Sequence, residues 1–396
     1  MKYCVIVPDG AADHPLLRLG GKTPIEAANT PNMDRAAREG MLGVTTHVPP
    51  RMTPGSAVAL MSVAGYNPRE YYTGRGPLEA ADMGIEMKLR DWAVRCNFVT
   101  VQDGVLVDFT ADHISTEDAA QLVEALNKEL GSDEITFHTG TGYRHVMIYR
   151  GAEPLVTETV PPHDIVDMPV SDALPSGSGG RVLRELMEQS QAVLADHPVT
   201  RARTDQGKNP PNTIWLWGQG TRPRLPSFES RFGLRGAVIS AVKLARGIGR
   251  LIGWDVIDVP GATGYLDTDY AAKGRYAVQA LEDHDLVLVH IEASDEASHE
   301  RSARRKMQAL ERIDQDIVGP ILAQSERPEG LRVLIMPDHI TSVREGRHER
   351  GLVPFALWGE GIRIASGVPY GEATAEATDV RIDGGHELMG QLVHGA

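Results

Sequence analysis

The chain has 396 residues, of which 41% are hydrophobic and 24% charged, and its formal net charge is −14 at pH 7. This length suits two domains, or one large α/β domain with an insertion. The acidic balance, without a run rich in Lys and Arg, argues against nucleic acid as a partner. The two cysteines, Cys4 and Cys96, lack the C-x-x-C spacing, so we expect neither a disulfide framework nor a thiolate zinc site.

The N-terminal run "KYCVIV" predicts a buried strand and not a signal peptide, because Pro8 and Asp9 interrupt the apolar stretch. No apolar run approaches the roughly 18 residues that a membrane-spanning helix needs. We therefore expect a cytoplasmic protein without a membrane partner. The sequence does not indicate an oligomeric state.

Strand and helix patterns alternate at both ends of the chain. "KYCVIV", the helix "PNMDRAAREG" and the strand "MLGVTTHV" form a βαβ unit. After Arg235 the alternation resumes, with apolar runs such as "LVLVHIE" and "LRVLIMP". The pattern predicts an α/β fold, a doubly wound and mostly parallel sheet core formed by residues 1–91 and 171–396.

Residues 92–170 have a different pattern. "WAVRCNFVTVQDGVLVDFT" has two strand-like runs around Asp103 and Gly104, which indicates a hairpin. "STEDAAQLVEALNKELG" predicts a helix that begins after Ser115, and "EITFHTGTGYRHVMIYRG" predicts further strands. We predict a small α+β domain inserted at 92–170.

Side chains of the metal-ligand type follow three predicted core strands. They are Asp9, Asp295, His299, Asp338 and His339, with His348 on the loop beyond. In an open α/β sheet, ligands bind beyond the carboxyl ends of the strands, so these residues are expected at one edge. Three carboxylates and three imidazoles are too many for one tetrahedral ion, and a pair of ions is the arrangement used for phosphoryl chemistry. The ligand set alone tolerates Mn²⁺, Zn²⁺, Co²⁺ or Mg²⁺.

A nucleophile candidate, Ser56, follows the tight turn at 53–55 and opens an apolar helical stretch. A serine in this position is usually only a helix cap. The positive helix end also favours a bound phosphate, and a nearby cation would lower the pKa of the hydroxyl group. The cations that could neutralise a phosphorylated substrate are Arg75, Arg95, Arg144, Arg222 and Lys273, although each taken alone is more often a surface residue.

Stretches in the same order along nearly the whole chain resemble the archaeal-type, 2,3-bisphosphoglycerate-independent phosphoglycerate mutases of the alkaline-phosphatase superfamily. They include "VIVPDGAAD", "PGSAVALMSVAGYNP", "GATGYLDTDYAAKG", "HIEASDEASH" and "MPDH". The resemblance implies an alkaline-phosphatase-type core and a glycolytic isomerase. It also implies a small phosphorylated substrate, two manganese-type ions and no requirement for 2,3-bisphosphoglycerate.

The resemblance further implies a role for each site residue. One ion would be held by Asp295, His299 and His348, and the other by Asp9, Ser56, Asp338 and His339. Ser56 would take the phosphoryl group from 3-phosphoglycerate and return it to the 2-hydroxyl of glycerate, with Lys273 near the nucleophile. The inserted domain would exclude water and contribute cations such as Arg95 and Arg144.

One stretch departs from the family pattern. "DFTADHISTEDA", which contains His113, stands where many of these mutases carry an Arg-rich segment. It resembles a branch proposed to substitute for homoserine kinase, so the acceptor stays open between phosphoglycerate and an amino-acid alcohol such as homoserine. A metal-dependent phosphohydrolase and an inactive metal-binding scaffold are further alternatives. The residues expected to bind the substrate are Arg75, Arg95, His113, Arg144 and Arg222.

Overall fold

The structure is a computed structural model that describes residues 1–395. The strands, numbered in chain order, are β1 (Lys2–Pro8), β2 (Met41–Thr45), β3 (Trp92–Gln102), β4 (Val105–Asp108), β5 (Ile135–Thr141), β6 (Arg144–Tyr149), β7 (Thr213–Thr221), β8 (Gly236–Ile239), β9 (Asp255–Ile257), β10 (Leu286–Ile291), β11 (Leu331–Ile335), β12 (Ile340–Ser342), β13 (Arg347–Glu349), β14 (Val353–Gly359) and β15 (Arg381–Ile382).

The α-helices are α1 (Pro24–Ala27), α2 (Pro31–Glu39), α3 (Ser56–Val63), α4 (Pro68–Tyr71), α5 (Gly76–Asp82), α6 (Thr116–Leu130), α7 (Gly180–Ala195), α8 (Pro198–Asp205), α9 (Phe228–Phe232), α10 (Lys243–Leu251), α11 (Tyr270–Asp283), α12 (Ala293–His299), α13 (Ala303–Ile313), α14 (Gly319–Leu322), α15 (Glu372–Glu376) and α16 (Leu388–His394). A π-helical turn, Asp314–Val318, joins α13 to α14, and short 3₁₀ turns occur elsewhere. Within residues 1–395, no helix has the length and apolar character that crossing a bilayer would require.

The larger of two compact units comprises Met1–Tyr72 and Arg224–Ala396. Its eight-stranded sheet has the order β15–β2–β14–β11–β1–β10–β8–β9. Strand β14 is antiparallel to both β11 and β2, and all the other neighbours in this sheet are parallel. The predicted α/β class with a mostly parallel core sheet is therefore confirmed.

The central strand β1 is apolar along its length because it is covered on both sides. Successive residues of a strand point to opposite faces, and Cys4, Val5, Ile6 and Val7 are all fully buried. Strand β1 lies between β10 and β11 and runs parallel to both. The carboxyl ends of these three strands therefore meet at one edge of the sheet, where the chain next supplies polar side chains.

The smaller unit is continuous, Thr73–Pro223, and contains a five-stranded antiparallel sheet. Strand β3 pairs with β4 and β6, and also with β7. Helices α6 and α7 pack against this sheet, and their apolar faces share its hydrophobic core. The predicted insert, 92–170, is too narrow, because β7 is needed to complete the sheet and its sequence lies far beyond residue 170.

Candidate functional site

Ser56 is the first residue of α3, directly after Gly55, whose φ of 148° favours glycine. Because Gly55 occupies the cap position, the Ser56 hydroxyl group is not used to cap the helix. Its Oγ donates to Asp9 Oδ2 over 3.2 Å and lies 3.2 Å from His339 Nε2. The helix start thus aims this hydroxyl group at side chains of the metal-ligand type.

Asp295, His299 and His348 converge and are called the His299 site below. Helix α12 places Asp295 and His299 one turn apart, with His299 Nε2 3.1 Å from Asp295 Oδ2. His348 Nε2 lies 3.0 Å from His299 Nε2 and 3.4 Å from Asp295 Oδ1. Atoms that bind one ion at about 2.0–2.2 Å lie about 3.0–3.5 Å from one another, so this spacing suits a shared cation.

Hydrogen bonding prepares the His299 ring for this role. His299 Nδ1 lies 2.9 Å from the carbonyl oxygen of Gly346, which can only accept, so Nδ1 carries a proton and Nε2 faces the other two side chains. The hydrogen bond with Asp295 raises the pKa of His299 to about 9. Burial opposes ionisation of Asp295, but hydrogen bonds with His299 and His348 outweigh it and hold the pKa of Asp295 well below its usual range. A bound cation would displace the proton from His299 Nε2.

Asp9, Ser56, Asp338 and His339 form a second group, called the Ser56 site. His339 Nε2 lies 3.4 Å from Asp9 Oδ1 and 3.3 Å from Asp338 Oδ2. The other Asp338 oxygen, Oδ1, accepts from the backbone amides of Gly10 and His339 at 3.0 and 2.9 Å. Among the described residues, Asp9 Oδ1 and Asp338 Oδ2 are buried oxygens without a hydrogen-bond donor.

Unpaired buried carboxylate oxygens are costly, and a cation between them would remove that cost. Burial, together with the nearby carboxylates of Asp338 and Asp295, raises the pKa of Asp9 well above its usual range. The donor set of three oxygens and one imidazole nitrogen fits a divalent ion of the Mn²⁺ or Zn²⁺ kind. The residues of both sites therefore fit the expected metal.

His290 supports the Ser56 site and escaped the sequence prediction. It is the fifth residue of β10, fully buried, and burial lowers its pKa to about 4, so the ring is neutral. Its Nε2 donates to Asp9 Oδ2 over 2.7 Å, and its Nδ1 lies 3.0 Å from Ser240 Oγ. The sequence feature that could have indicated His290 is its position inside the apolar run "LVLVHIE". A histidine in such a run is usually a core residue whose ring nitrogens are hydrogen-bonded, so it did not suggest a functional role.

Lys273, on α11, is buried, and burial lowers its pKa to about 8. Its Nζ lies 3.5 Å from the carbonyl oxygens of Thr263 and His290. The structure therefore places Lys273 beside the strand that carries the hydrogen-bond partner of Asp9.

Three of the predicted substrate cations cluster around aromatic rings of the smaller unit. The guanidinium carbon of Arg95 lies 4.2 Å from the centre of the Trp217 ring, and that of Arg75 lies 5.5 Å from it. The guanidinium carbon of Arg144 lies 4.3 Å from the centre of the Tyr143 ring. Burial lowers the pKa of Arg95 to about 9, with Glu79 opposing and Arg75 and Arg144 reinforcing the shift. This arginine cluster suits an anionic group.

Two other predicted substrate residues have different surroundings. Arg222 is exposed and donates from Nη1 to the Met87 carbonyl oxygen over 3.3 Å. His113 is exposed and ends three consecutive left-handed residues, Ala111, Asp112 and His113, with φ near 50°. Left-handed backbone in non-glycine residues is strained and is enriched at functional sites. Buried Arg203 holds this turn by donating to the Asp112 carbonyl oxygen over 3.1 Å.

The chain is similar to known proteins over its whole length. Residues 37–200 match a family model described as 2,3-bisphosphoglycerate-independent phosphoglycerate mutase. A protein of that name from Methanothrix thermoacetophila is 46% identical over 396 residues, which cover 100% of both chains. A probable enzyme of the same name from Geobacter sulfurreducens is 47% identical over 398 residues, covering 99% of this chain and 100% of the relative. The chain belongs to the family of 2,3-bisphosphoglycerate-independent phosphoglycerate mutases, as the sequence motifs predicted.

Two solved structures share the fold over the full length. A Pyrococcus horikoshii protein aligns with a TM-score of 0.83 and 30% identity, covering 100% of this chain and 98% of the other. The cofactor-independent phosphoglycerate mutase from Thermoplasma acidophilum aligns with a TM-score of 0.69 and 26% identity, covering 100% and 99%.

Proposed function

We propose that the protein interconverts 3-phosphoglycerate and 2-phosphoglycerate through a phosphoserine at Ser56. The observation that carries this proposal is the position of the Ser56 hydroxyl group, which donates to Asp9 and faces His339 instead of capping α3. A structural cation site would need no such hydroxyl group. The names of the relatives supply the substrate.

The proposal includes two divalent cations, with Mn²⁺ as the first candidate, Zn²⁺, Co²⁺ and Mg²⁺ as alternatives, and no 2,3-bisphosphoglycerate. The His299 site would hold one ion and the Ser56 site the other. When bound, the ions would neutralise phosphoryl oxygens and lower the pKa of the Ser56 hydroxyl group.

The chemistry balances without an outside donor. Ser56 Oγ forms a bond to phosphorus while the bond from phosphorus to the 3-oxygen of the substrate breaks, and the serine proton ends on the departing alkoxide. The 2-hydroxyl of the bound glycerate then attacks the phosphoserine, the bond from phosphorus to Oγ breaks, and a proton returns to Ser56. Asp9 Oδ2, which accepts the Ser56 hydroxyl proton, orients Oγ before the first step.

The arginine cluster of the smaller unit is assigned to the anionic groups of the substrate. The Arg95 guanidinium group lies between the Trp217 ring and the Glu79 carboxylate, and Arg95 Nε is 3.0 Å from Glu79 Oε1. These two contacts fix the plane of the guanidinium group. A planar guanidinium group recognises a carboxylate or phosphate through two parallel hydrogen bonds. Arg75 and Arg144 add positive charge that Glu79 alone does not balance.

The decisive experiment gives metal-stripped protein Mn²⁺ and 3-phosphoglycerate and follows the formation of 2-phosphoglycerate. Homoserine with ATP is tested in parallel. Ser56→Ala is expected to abolish isomerisation while Mn²⁺ still binds, and a phosphorylated Ser56 peptide is expected from the wild-type enzyme by mass spectrometry. Phosphohomoserine without 2-phosphoglycerate, or turnover by Ser56→Ala, would overturn the proposal.

A matched control separates a nucleophile from a helix cap. Ser227 caps α9, and its side chain accepts from the amide of Ser230 over 3.1 Å. Ser227→Ala is expected to cost about 1 kcal/mol of stability and to leave the isomerase activity intact. A Ser56→Ala variant that lost only stability would behave as a cap.

A further inference from the structure

We propose that Thr341 is a positioning residue whose hydroxyl group joins the His299 site to the Ser56 site. Thr341 is fully buried in β12, and neither predicted ligand set includes it. Its Oγ1 lies 2.5 Å from Asp295 Oδ1 in one site and 3.1 Å from His339 Nδ1 in the other. The inference rests on the proposed metal binding but on no property of the substrate.

The single hydroxyl proton fixes the direction of both hydrogen bonds. A carboxylate only accepts, so Thr341 donates its proton to Asp295. The hydroxyl oxygen then accepts the Nδ1 proton of His339. This order leaves His339 Nε2 without a proton, and Nε2 is the atom that faces Ser56 Oγ and Asp338 Oδ2.

The backbone of Thr341 is held from several directions. Its amide donates to the Ala12 carbonyl oxygen over 3.2 Å, and its carbonyl oxygen accepts from Lys306 Nζ over 2.8 Å. Lys306 is fully buried and pairs with Asp13 Oδ2 at 3.0 Å. In the β12–β13 hairpin, Thr341 stands opposite His348, a member of the His299 site. The hydroxyl group therefore sits on a fixed frame instead of a mobile loop.

Gly10 shows how closely this contact is packed. A Cβ atom at Gly10 would lie 2.4 Å from both Thr341 Oγ1 and Asp295 Oδ1. The absence of a side chain at this position is what lets the hydroxyl group and the carboxylate meet beside Asp9.

The test measures Mn²⁺ affinity in metal-stripped protein by calorimetry and by electron paramagnetic resonance. Thr341→Val removes the hydroxyl group and keeps the shape, whereas Thr341→Ser keeps the hydroxyl group. Loss of a partner that orients metal ligands typically costs about 10–100-fold in affinity. We expect a loss of that size in both sites for Thr341→Val, and an affinity within about threefold of wild type for Thr341→Ser. Each site is observed alone in a His348→Ala or an Asp338→Asn background.

The control is Thr45→Val, which removes another fully buried threonine hydroxyl group, one that donates to the Ile382 carbonyl oxygen over 2.7 Å. It is expected to lower stability without changing Mn²⁺ affinity. The proposal is overturned if Thr341→Val keeps wild-type affinity in either site, or if a folded Thr341→Ser binds as weakly as Thr341→Val.

A second measurement uses only the wild-type protein and therefore tests the proposal even if Thr341→Val does not fold. The ¹⁵N spectrum of wild-type protein reports which nitrogen of His339 carries the proton, and we expect Nδ1. A proton on Nε2 would overturn the proposed order of hydrogen bonds. Isomerase activity is measured in neither experiment, so a failure of the proposed function would leave both results interpretable.

Discussion

His290 Nε2 donates to Asp9 Oδ2 over 2.7 Å, and both side chains are fully buried. The same Asp9 oxygen accepts from Ser56. His290→Ala removes the shorter of these two hydrogen bonds, so the buried Asp9 carboxylate is oriented by the Ser56 hydroxyl group with less support. We expect Mn²⁺ affinity at the Ser56 site to fall about 10–100-fold, measured by calorimetry, with the His299 site changed much less.

A surface pair of the same atom types provides the control for His290. His284 Nε2 lies 2.9 Å from Asp255 Oδ2, and the Asp255 side chain is 80% exposed. His284→Ala is expected to leave Mn²⁺ binding unchanged. Equal effects of the two substitutions on Mn²⁺ affinity would show that the His290 contact has no special part in the site.

Gly10→Ala tests the packing between the two sites. Gly10 has a φ of +58°, and an added Cβ would lie 2.4 Å from Asp295 Oδ1. We expect loss of Mn²⁺ binding in the His299 site and a marked fall in melting temperature. Gly20→Ala is the matched control, because Gly20 has a similar φ of +68° but open space around its Cβ position.

For Gly20→Ala only the backbone strain remains, and the expected cost is about 1 kcal/mol. Melting temperatures and Mn²⁺ titrations of both variants separate strain from steric overlap. If Gly10→Ala lowered the melting temperature and the Mn²⁺ affinity no more than Gly20→Ala does, the close packing around Gly10 would not matter for stability or for metal binding.

Lys306→Met tests the buried ion pair beneath Thr341. Removing Lys306 leaves the Asp13 carboxylate buried without its counter-ion, and such a loss typically costs about 3–5 kcal/mol. The free energy of unfolding is measured by urea denaturation. Arg305, the preceding residue, forms an exposed ion pair with Glu300, so Arg305→Ala is expected to cost no more than about 1 kcal/mol. A similar loss of unfolding free energy in both variants would contradict a stabilising role for the buried ion pair between Lys306 and Asp13.

Glu372 predicts a pH dependence of stability. Burial raises its pKa to about 7, although the Thr23 hydroxyl group and the Asp13 amide donate to it. An unfolded glutamate has a pKa of about 4.3, so the folded state binds more protons between these values and stability falls as the pH rises through them. The penalty is nearly complete above pH 7 and on the order of 4 kcal/mol, since each pH unit between the two pKa values adds about 1.4 kcal/mol.

Glu372→Gln is therefore expected to flatten the fall in stability between about pH 5 and pH 8. Glu376→Gln, at an exposed position of the same helix, is expected to leave the slope as it is in the wild type. Unfolding free energies at several pH values give both slopes. A Glu372→Gln variant with the wild-type slope would exclude Glu372 as the source.

Much of the fold and the grouping of the candidate ligands could be predicted because both follow from local patterns. Apolar runs mark the parallel strands, and a polar residue just after such a run must lie at the shared edge. Asp9, Asp295 and Asp338 were found in this way, and the structure brings them together with the three histidines. Their roles as metal ligands stay predictions.

What could not be predicted depends on register and on distant pairings. His290 and Lys306 occupy positions in a strand and a helix that look like ordinary core and surface residues in the sequence. Whether Ser56 would cap α3 or turn toward Asp9 depended on the backbone of Gly55. The limits of the smaller unit were missed because β7 joins β3 across more than a hundred residues.

The order of the chain has a consequence for biosynthesis. Strand β1 leaves the ribosome early, yet its two neighbours, β10 and β11, begin at Leu286 and Leu331. The continuous segment Thr73–Pro223 is complete long before that point. We expect the nascent chain to hold Asp9 and Ser56 without partners while the smaller unit forms, and the cation sites to assemble only after β10, β11 and the segment that carries His348 have been synthesised. A chain truncated before β11 should therefore bind no Mn²⁺ at the Ser56 site. The measurement is retention of stalled nascent chains of different lengths on immobilised Mn²⁺.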